Sequence, residues 1–202
     1  MKKLLITCFE PFGGDDVNTS YESVMRLPDT IGNFHLKKLC LPVVFGACMD
    51  PVRETLLTGL PDDVILTGQA GGRKAVTPEM YAHNLRYGRI PDNAGQAPLD
   101  EPVADGPDAL RSTADVRAIA KAIGDAGVPA EVSYSAGAYV CNDLYYQVLS
   151  YIGAVSGHEK SSPLPVCFIH VPSVSDGLSI EEMSSALAAA VLALDVQTDQ
   201  SA

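Results

Sequence analysis

No stretch of the sequence approaches the roughly 18 consecutive apolar residues that a membrane-crossing helix needs. The N-terminal run M-K-K-L-L-I-T-C-F imitates a secretory leader for a few residues. Glu10 and Pro11 then break it before a full apolar segment forms, and no small-residue cleavage site follows. Positive charge is scarce too: 14 Lys and Arg stand against 25 Asp and Glu, a formal net charge of -11. That balance argues against nucleic acid and against anionic membrane surfaces as partners. There is no C-x-x-C pair. The five cysteines (8, 40, 48, 141 and 167) are odd in number and irregularly spaced, which leaves neither a disulfide framework nor a zinc site to expect. The four histidines (35, 83, 158 and 170) also lack metal-ligand spacing, so no metal is expected. Low-complexity tracts and internal repeats are absent. Free thiols without a leader point to a cytoplasmic protein.

What is present is an ordinary globular composition. With 202 residues, 47% hydrophobic and 19% charged, the chain suffices for one domain over 1–202 with a substantial core, fraying at about 197–202. Short apolar runs at Lys3–Cys8, His35–Leu41, Val64–Thr67, Val132–Tyr134 and Val166–Val171 predict strands, and Met80–Tyr87 is assigned to a strand as well. Thr19 with Glu22, and Ser179 with Glu182, have capping-box spacing and predict helices that open at those residues. Asp50-Pro51 predicts a helix ending near Gly59, with an earlier start around Phe45 as the alternative. A further helix is expected over Asp115–Ala126, closed by Gly127, and another from Val140 through Ile152. The segment from Arg89 to Thr113, interrupted by four prolines, reads as a long functional or mobile loop, and Gly157–Pro163 as a surface loop.

Strands alternating with helices predict an α/β fold: a mostly parallel twisted sheet with helices on both faces, a three-layer α/β/α sandwich. In such sheets ligands bind beyond the carboxyl ends of the strands. That rule selects Phe9–Gly14, Gly68–Arg73, Ser135–Cys141 and His170. In S-Y-S-A-G-A-Y-V-C-N-D-L-Y-Y, a strand, a tight turn and a helix would leave Cys141 in the first helical turn. There the partial positive charge of the helix end favours a thiolate, which is the nucleophile. The alternative is a buried structural cysteine. His170 closes an apolar strand on the same edge, where it is either tied to nearby backbone or the general base for Cys141. A third group usually orients such a histidine; Glu79, Asp92, Asp105 and Asp143 are all candidates by spacing. The motif G-Q-A-G-G-R fits neither dinucleotide nor P-loop patterns, so no nucleotide cofactor is expected. Its glycines instead suit a close approach of backbone amides to a small ligand. Phe9 and Phe12 are either core or the walls of a flat apolar slot.

Five motifs occur in one order: F-E-P-F-G-G at 9–14, G-Q-A-G-G-R with T-P-E at 68–79, R-I-P-D-N at 89–93, S-A-G-A-Y-V-C-N at 135–142, and F-I-H-V-P at 168–172. Together they resemble the pyroglutamyl peptidase I (pyrrolidone-carboxylate peptidase) family, from Leu4 to about Leu194. The resemblance implies a cytoplasmic cysteine exopeptidase, metal-free and without cofactors, acting on peptides with an N-terminal pyroglutamyl residue and assembled as a homotetramer. It carries the roles of a Cys-His-Glu triad onto Cys141, His170 and Glu79. It also brings Arg89 near the site, a candidate with the Cys141 backbone N–H to receive the oxyanion. For a flat neutral lactam, Phe9 and Phe12 would supply an apolar slot, the Gln69 region the polar contacts, and Ile90, Tyr139 and Val140 the rest of the lining. Two positions depart from the family pattern: Met80 stands where an Arg often follows the glutamate, and Tyr139 at a variable aromatic. The rival readings are another cysteine amidase, glutaminase-like, and a non-catalytic ligand-binding domain.

Overall fold

The alternation of apolar strands and amphipathic helices produces one six-stranded sheet with helices on both faces. It is seen here in a computed structural model that describes residues 1–156 and 164–199. The strands are β1 (Lys2–Phe9), β2 (Thr30–Ile31), β3 (Phe34–Leu41), β4 (Asp63–Gln69), β5 (Thr77–Glu79) and β8 (Val166–Val171), in spatial order β2-β3-β1-β4-β8-β5. The four central strands run parallel, whereas β2 and β5 close the two edges antiparallel. The central strands are apolar on both faces, as a doubly covered sheet requires: six of the eight residues of β1 and all six of β8 are buried.

Each face carries its own core. Helices α1 (Thr19–Met25), α3 (Val116–Asp125) and α5 (Ile180–Asp199) bury Val24, Ile119, Ile123, Met183 and Leu187 against Leu4, Ile6, Ile65 and Ile169. Helices α2 (Asp50–Thr58) and α4 (Val140–Ser156) bury Val52, Leu56, Leu144 and Val148 against Leu5, Leu66 and Phe168. A short hairpin-like pair, β6 (Tyr81–His83) with β7 (Ala109–Arg111), sits beside α4. Among the described residues no helix is long and apolar enough to cross a membrane.

Several local expectations change. Thr19 does not cap α1. Asn18 does, accepting from the Ser20 backbone N–H, because the Thr19 hydroxyl donates instead to the Pro172 carbonyl. The capping box at Ser179 and Glu182 is present, each side chain accepting from the other's backbone N–H. A 3-10 turn (Ala47–Met49) runs straight into α2, so Pro51 sits in the first helical turn and costs no hydrogen bond. The expected strand at Val132–Tyr134 reduces to isolated bridges, Val76 with Ala130 and Glu79 with Ser133, since the Ser133 hydroxyl turns back onto Ser135. The expected strand over Met80–Tyr87 shortens to β6. The proline-interrupted 89–113 segment contains β7 and is pinned elsewhere: the Asn84 side-chain carbonyl accepts from Val103 and Ala104, and Asp92 accepts from Phe45, Ala94 and Gln96. Helix α5 runs through Asp199, into the stretch expected to fray; 200–202 and the loop expected at 157–163 lie outside the described residues.

Candidate active site

The carboxyl ends of β1, β4 and β8 and the start of α4 meet around a cavity of about 430 Å³. Cys141 lies in the first turn of α4, and His170 lies near the end of β8, paired in register with Gly68 of β4. Both side chains line the cavity. The Cys141 Sγ rests directly on Gly68: a Cβ at that position would stand 2.6 Å from the sulfur and 2.9 Å from Phe168 Cζ. Only glycine leaves room for the thiol beside His170. The helix start is held by its neighbours. Asn142, fully buried, donates to the carbonyls of His83 and Leu85 and accepts from His83 N–H. Asp143, also fully buried, accepts from Arg86 Nε at 2.7 Å and from Gly46 N–H.

Of the four acids open by spacing, Glu79 is the one bonded to the histidine, with Oε1 2.7 Å from His170 Nδ1. Asp143 and Asp92 are taken up by the contacts just described, and Asp105 is exposed. Glu79 is fully buried. Its Oε1 also accepts from Arg73 Nη1 at 2.6 Å, and its backbone carbonyl accepts from the buried Tyr145 hydroxyl at 3.0 Å. Met80 has no part in holding it. Successive side chains of an extended chain point opposite ways, and Met80 joins the core on the α3 side of the sheet.

The electrostatics reverse one expectation. Burial, with the Glu79 charge added, pushes the Cys141 thiol up to about 12; Arg73 and the backbone N–H pull the other way and lose. The helix end therefore does not supply a resting thiolate. Burial also lowers His170 below its ordinary 6.5, against the opposing pull of Glu79. At neutral pH the pair is a neutral thiol beside a neutral imidazole.

The rest of the cavity is an apolar slot with polar corners. Phe9, Phe12, Val43, Tyr139 and Val140 line it. Tyr139 is fixed between Phe12 and Phe45, at ring-centroid distances of 6.0 and 5.2 Å, and donates its hydroxyl to the Pro91 carbonyl. Gln69 lines the cavity with its amide orientation set: Oε1 accepts from Thr19 N–H at 2.7 Å, leaving Nε2 as a donor. The exposed Arg89 reaches the lining, whereas Ile90 does not; it lies over Gly13 with 39% of its surface exposed. Among the described residues no Asp or Glu lines this cavity.

A model of the pyroglutamyl peptidase family matches residues 2–199. The chain belongs to that family. It is 45% identical over 196 residues to the pyrrolidone-carboxylate peptidase of Thermococcus onnurineus, covering 96% of each chain. Among solved structures, pyroglutamyl peptidase I of Bacillus amyloliquefaciens superposes with a TM-score of 0.89 at 36% identity, covering 97% of this chain and 98% of that one. The pyrrolidone carboxyl peptidase of Thermococcus litoralis gives 0.90 at 35% identity, covering 100% and 97%.

Sequence reasoning missed four residues that shape this pyroglutamyl peptidase site. Arg73 ends a glycine motif that was noticed only for its backbone. Tyr145 stands four residues after Cys141, one helical turn on, and that spacing was the available signal. Thr19 and Phe45 act through Gln69 and Tyr139, contacts between segments far apart in sequence that no local pattern carries.

Proposed function

We propose that the chain hydrolyses the amide bond after an N-terminal pyroglutamyl residue, with Cys141 as nucleophile, His170 as general base and acid, and Glu79 as its orienting acid. The observation that carries this is the Glu79–His170 bond at Nδ1, with His170 and the Cys141 thiol lining one cavity. With Nδ1 occupied, Nε2 takes the thiol proton as sulfur attacks the carbonyl. The backbone N–H of Cys141, in the first helical turn, and Arg89 would receive the oxyanion. The imidazolium then protonates the leaving amine. Water, activated by the same nitrogen, hydrolyses the thioester and restores the thiol.

Specificity follows from charge and shape. Pyroglutamate is a flat neutral lactam. The walls Phe9, Phe12, Tyr139 and Val140 suit the ring, and the Gln69 Nε2 donor suits the lactam carbonyl. Among the described lining residues a free α-ammonium would meet Arg73 and Arg89 and no carboxylate. Ile90 stays outside this account. The five free cysteines support a reducing, cytoplasmic setting, and family resemblance supports a homotetramer, for which sedimentation gives the answer.

A panel of fluorogenic pyroglutamyl, glutaminyl and prolyl amides tests the reading. Turnover of the pyroglutamyl amide alone, lost in a folded Cys141→Ala variant, is expected. Preference for the glutaminyl amide would establish a glutaminase-like amidase, and turnover of none would establish a binding domain.

A further inference from the structure

We propose that Arg73 makes Glu79 an obligatory hydrogen-bond acceptor for His170, and so acts as a positioning residue behind the three catalytic groups. This rests on the assignment of Cys141, His170 and Glu79 above. Glu79 is fully buried and, among the described residues, its Oε2 has no hydrogen-bond partner. Both of its side-chain contacts converge on Oε1, Arg73 Nη1 at 2.6 Å and His170 Nδ1 at 2.7 Å. A guanidinium has five N–H donors and no acceptor. A carboxylate oxygen shared by that donor and the histidine accepts from both. Nδ1 carries the hydrogen, and Nε2 keeps its lone pair for the thiol.

Remove the guanidinium, and the buried carboxylate is left with no permanent counter-charge, because His170 becomes cationic only after taking the thiol proton. The carboxylate also loses the second bond that holds Oε1 in place, so it can turn away from Nδ1. His170 is then free to take the tautomer with hydrogen on Nε2, where no base faces Cys141. Arg73 is fixed well enough to prevent this. It also donates to the Thr77 hydroxyl at the start of β5, and through Nη2 to the Ser135 carbonyl at 3.3 Å. One planar group thus spans the strand carrying Glu79 and the loop leading into the Cys141 helix. A lysine supplies the charge but not that fork.

The test measures kcat and KM on a pyroglutamyl amide for Arg73→Met and Arg73→Lys, alone and combined with Glu79→Gln, with melting followed throughout. Arg73→Met should lower kcat by on the order of 10²-fold, the loss expected of a misplaced catalytic group, with KM little changed. Arg73→Lys should recover part of the loss. In the Glu79→Gln background, Arg73→Met should add almost nothing, because the group it acts through is already neutral. Losses that multiply, or a raised KM at constant kcat, would overturn the proposal and make Arg73 a substrate contact. If Glu79→Gln alone left kcat intact, the triad assignment would fall and the role of Arg73 with it. Should Arg73→Met not fold, Arg73→Gln, which keeps donors for Ser135 and Thr77, gives the same comparison.

Discussion

Gly68 is the place where a single methyl group should separate stability from activity. A Cβ there would stand 2.6 Å from Cys141 Sγ and 2.9 Å from Phe168 Cζ, roughly 1 Å inside ordinary contact distance. Phe168 sits in the core with Tyr145 and His170 packed on its ring, so the thiol is the group that must move. Overpacking of this kind costs about 1–3 kcal/mol. At this chain length each kcal/mol lowers Tm by about 2–4 °C, so Gly68→Ala should melt lower yet remain folded at 25 °C. A nucleophile displaced by about 1 Å loses on the order of 10²-fold in kcat. The assay is kcat on a pyroglutamyl amide beside a thermal melt and the rate of iodoacetamide alkylation. Gly124→Ala is the control: it lies in α3 with nothing near its Cβ position, and should leave kcat unchanged while stabilising by up to ~1 kcal/mol. A folded Gly68→Ala variant with undiminished kcat would refute the placement of the thiol over β4.

Asp63, 1% exposed at the start of β4, has its carboxyl raised by burial from 3.8 to about 6. The fold therefore favours the protonated acid, and that contribution is lost as pH rises through 6. Asp63→Asn should stabilise by up to ~3 kcal/mol at pH 7.5 and by far less at pH 4; denaturant titrations with equal gains at both would contradict this. The pH–rate profile of kcat/KM should have its acid limb below 6.5, where burial places His170, and no alkaline limb near neutrality, since the thiol stands at about 12. A narrow bell closing below pH 8 would instead indicate a preformed thiolate. Phe12→Ala and Phe9→Ala should each lower kcat/KM for the pyroglutamyl amide by about 1–3 kcal/mol of lost apolar contact, and an unchanged value would remove that ring from the slot.

The layered fold was legible because its signals are periodic and local. The core strands and α3 fall within a residue or two of their expected bounds, and strand-end geometry alone brings Cys141 and His170 to one edge. The choice among Glu79, Asp92, Asp105 and Asp143 was not legible from spacing, because it depends on β5 pairing antiparallel with β8, and Glu79 lies 91 residues from His170 in the chain. Resemblance named Glu79, but nothing in the sequence said what holds it. The thiol's protonation state was misread for a related reason. A helix end is visible in sequence, whereas the burial that outweighs it is set by tertiary packing.

A cavity lining without a carboxylate among the described residues makes substrate choice depend on pH in a way unrelated to catalysis. A peptide's α-amino group titrates at about 7.7–8.0. Below that value an uncyclised glutaminyl terminus arrives as a cation and is turned away by charge as well as by shape. Above it the terminus is neutral and shape alone is left to reject it. The margin between cyclised and open termini should therefore narrow as the medium turns alkaline, even while turnover of the lactam itself holds steady.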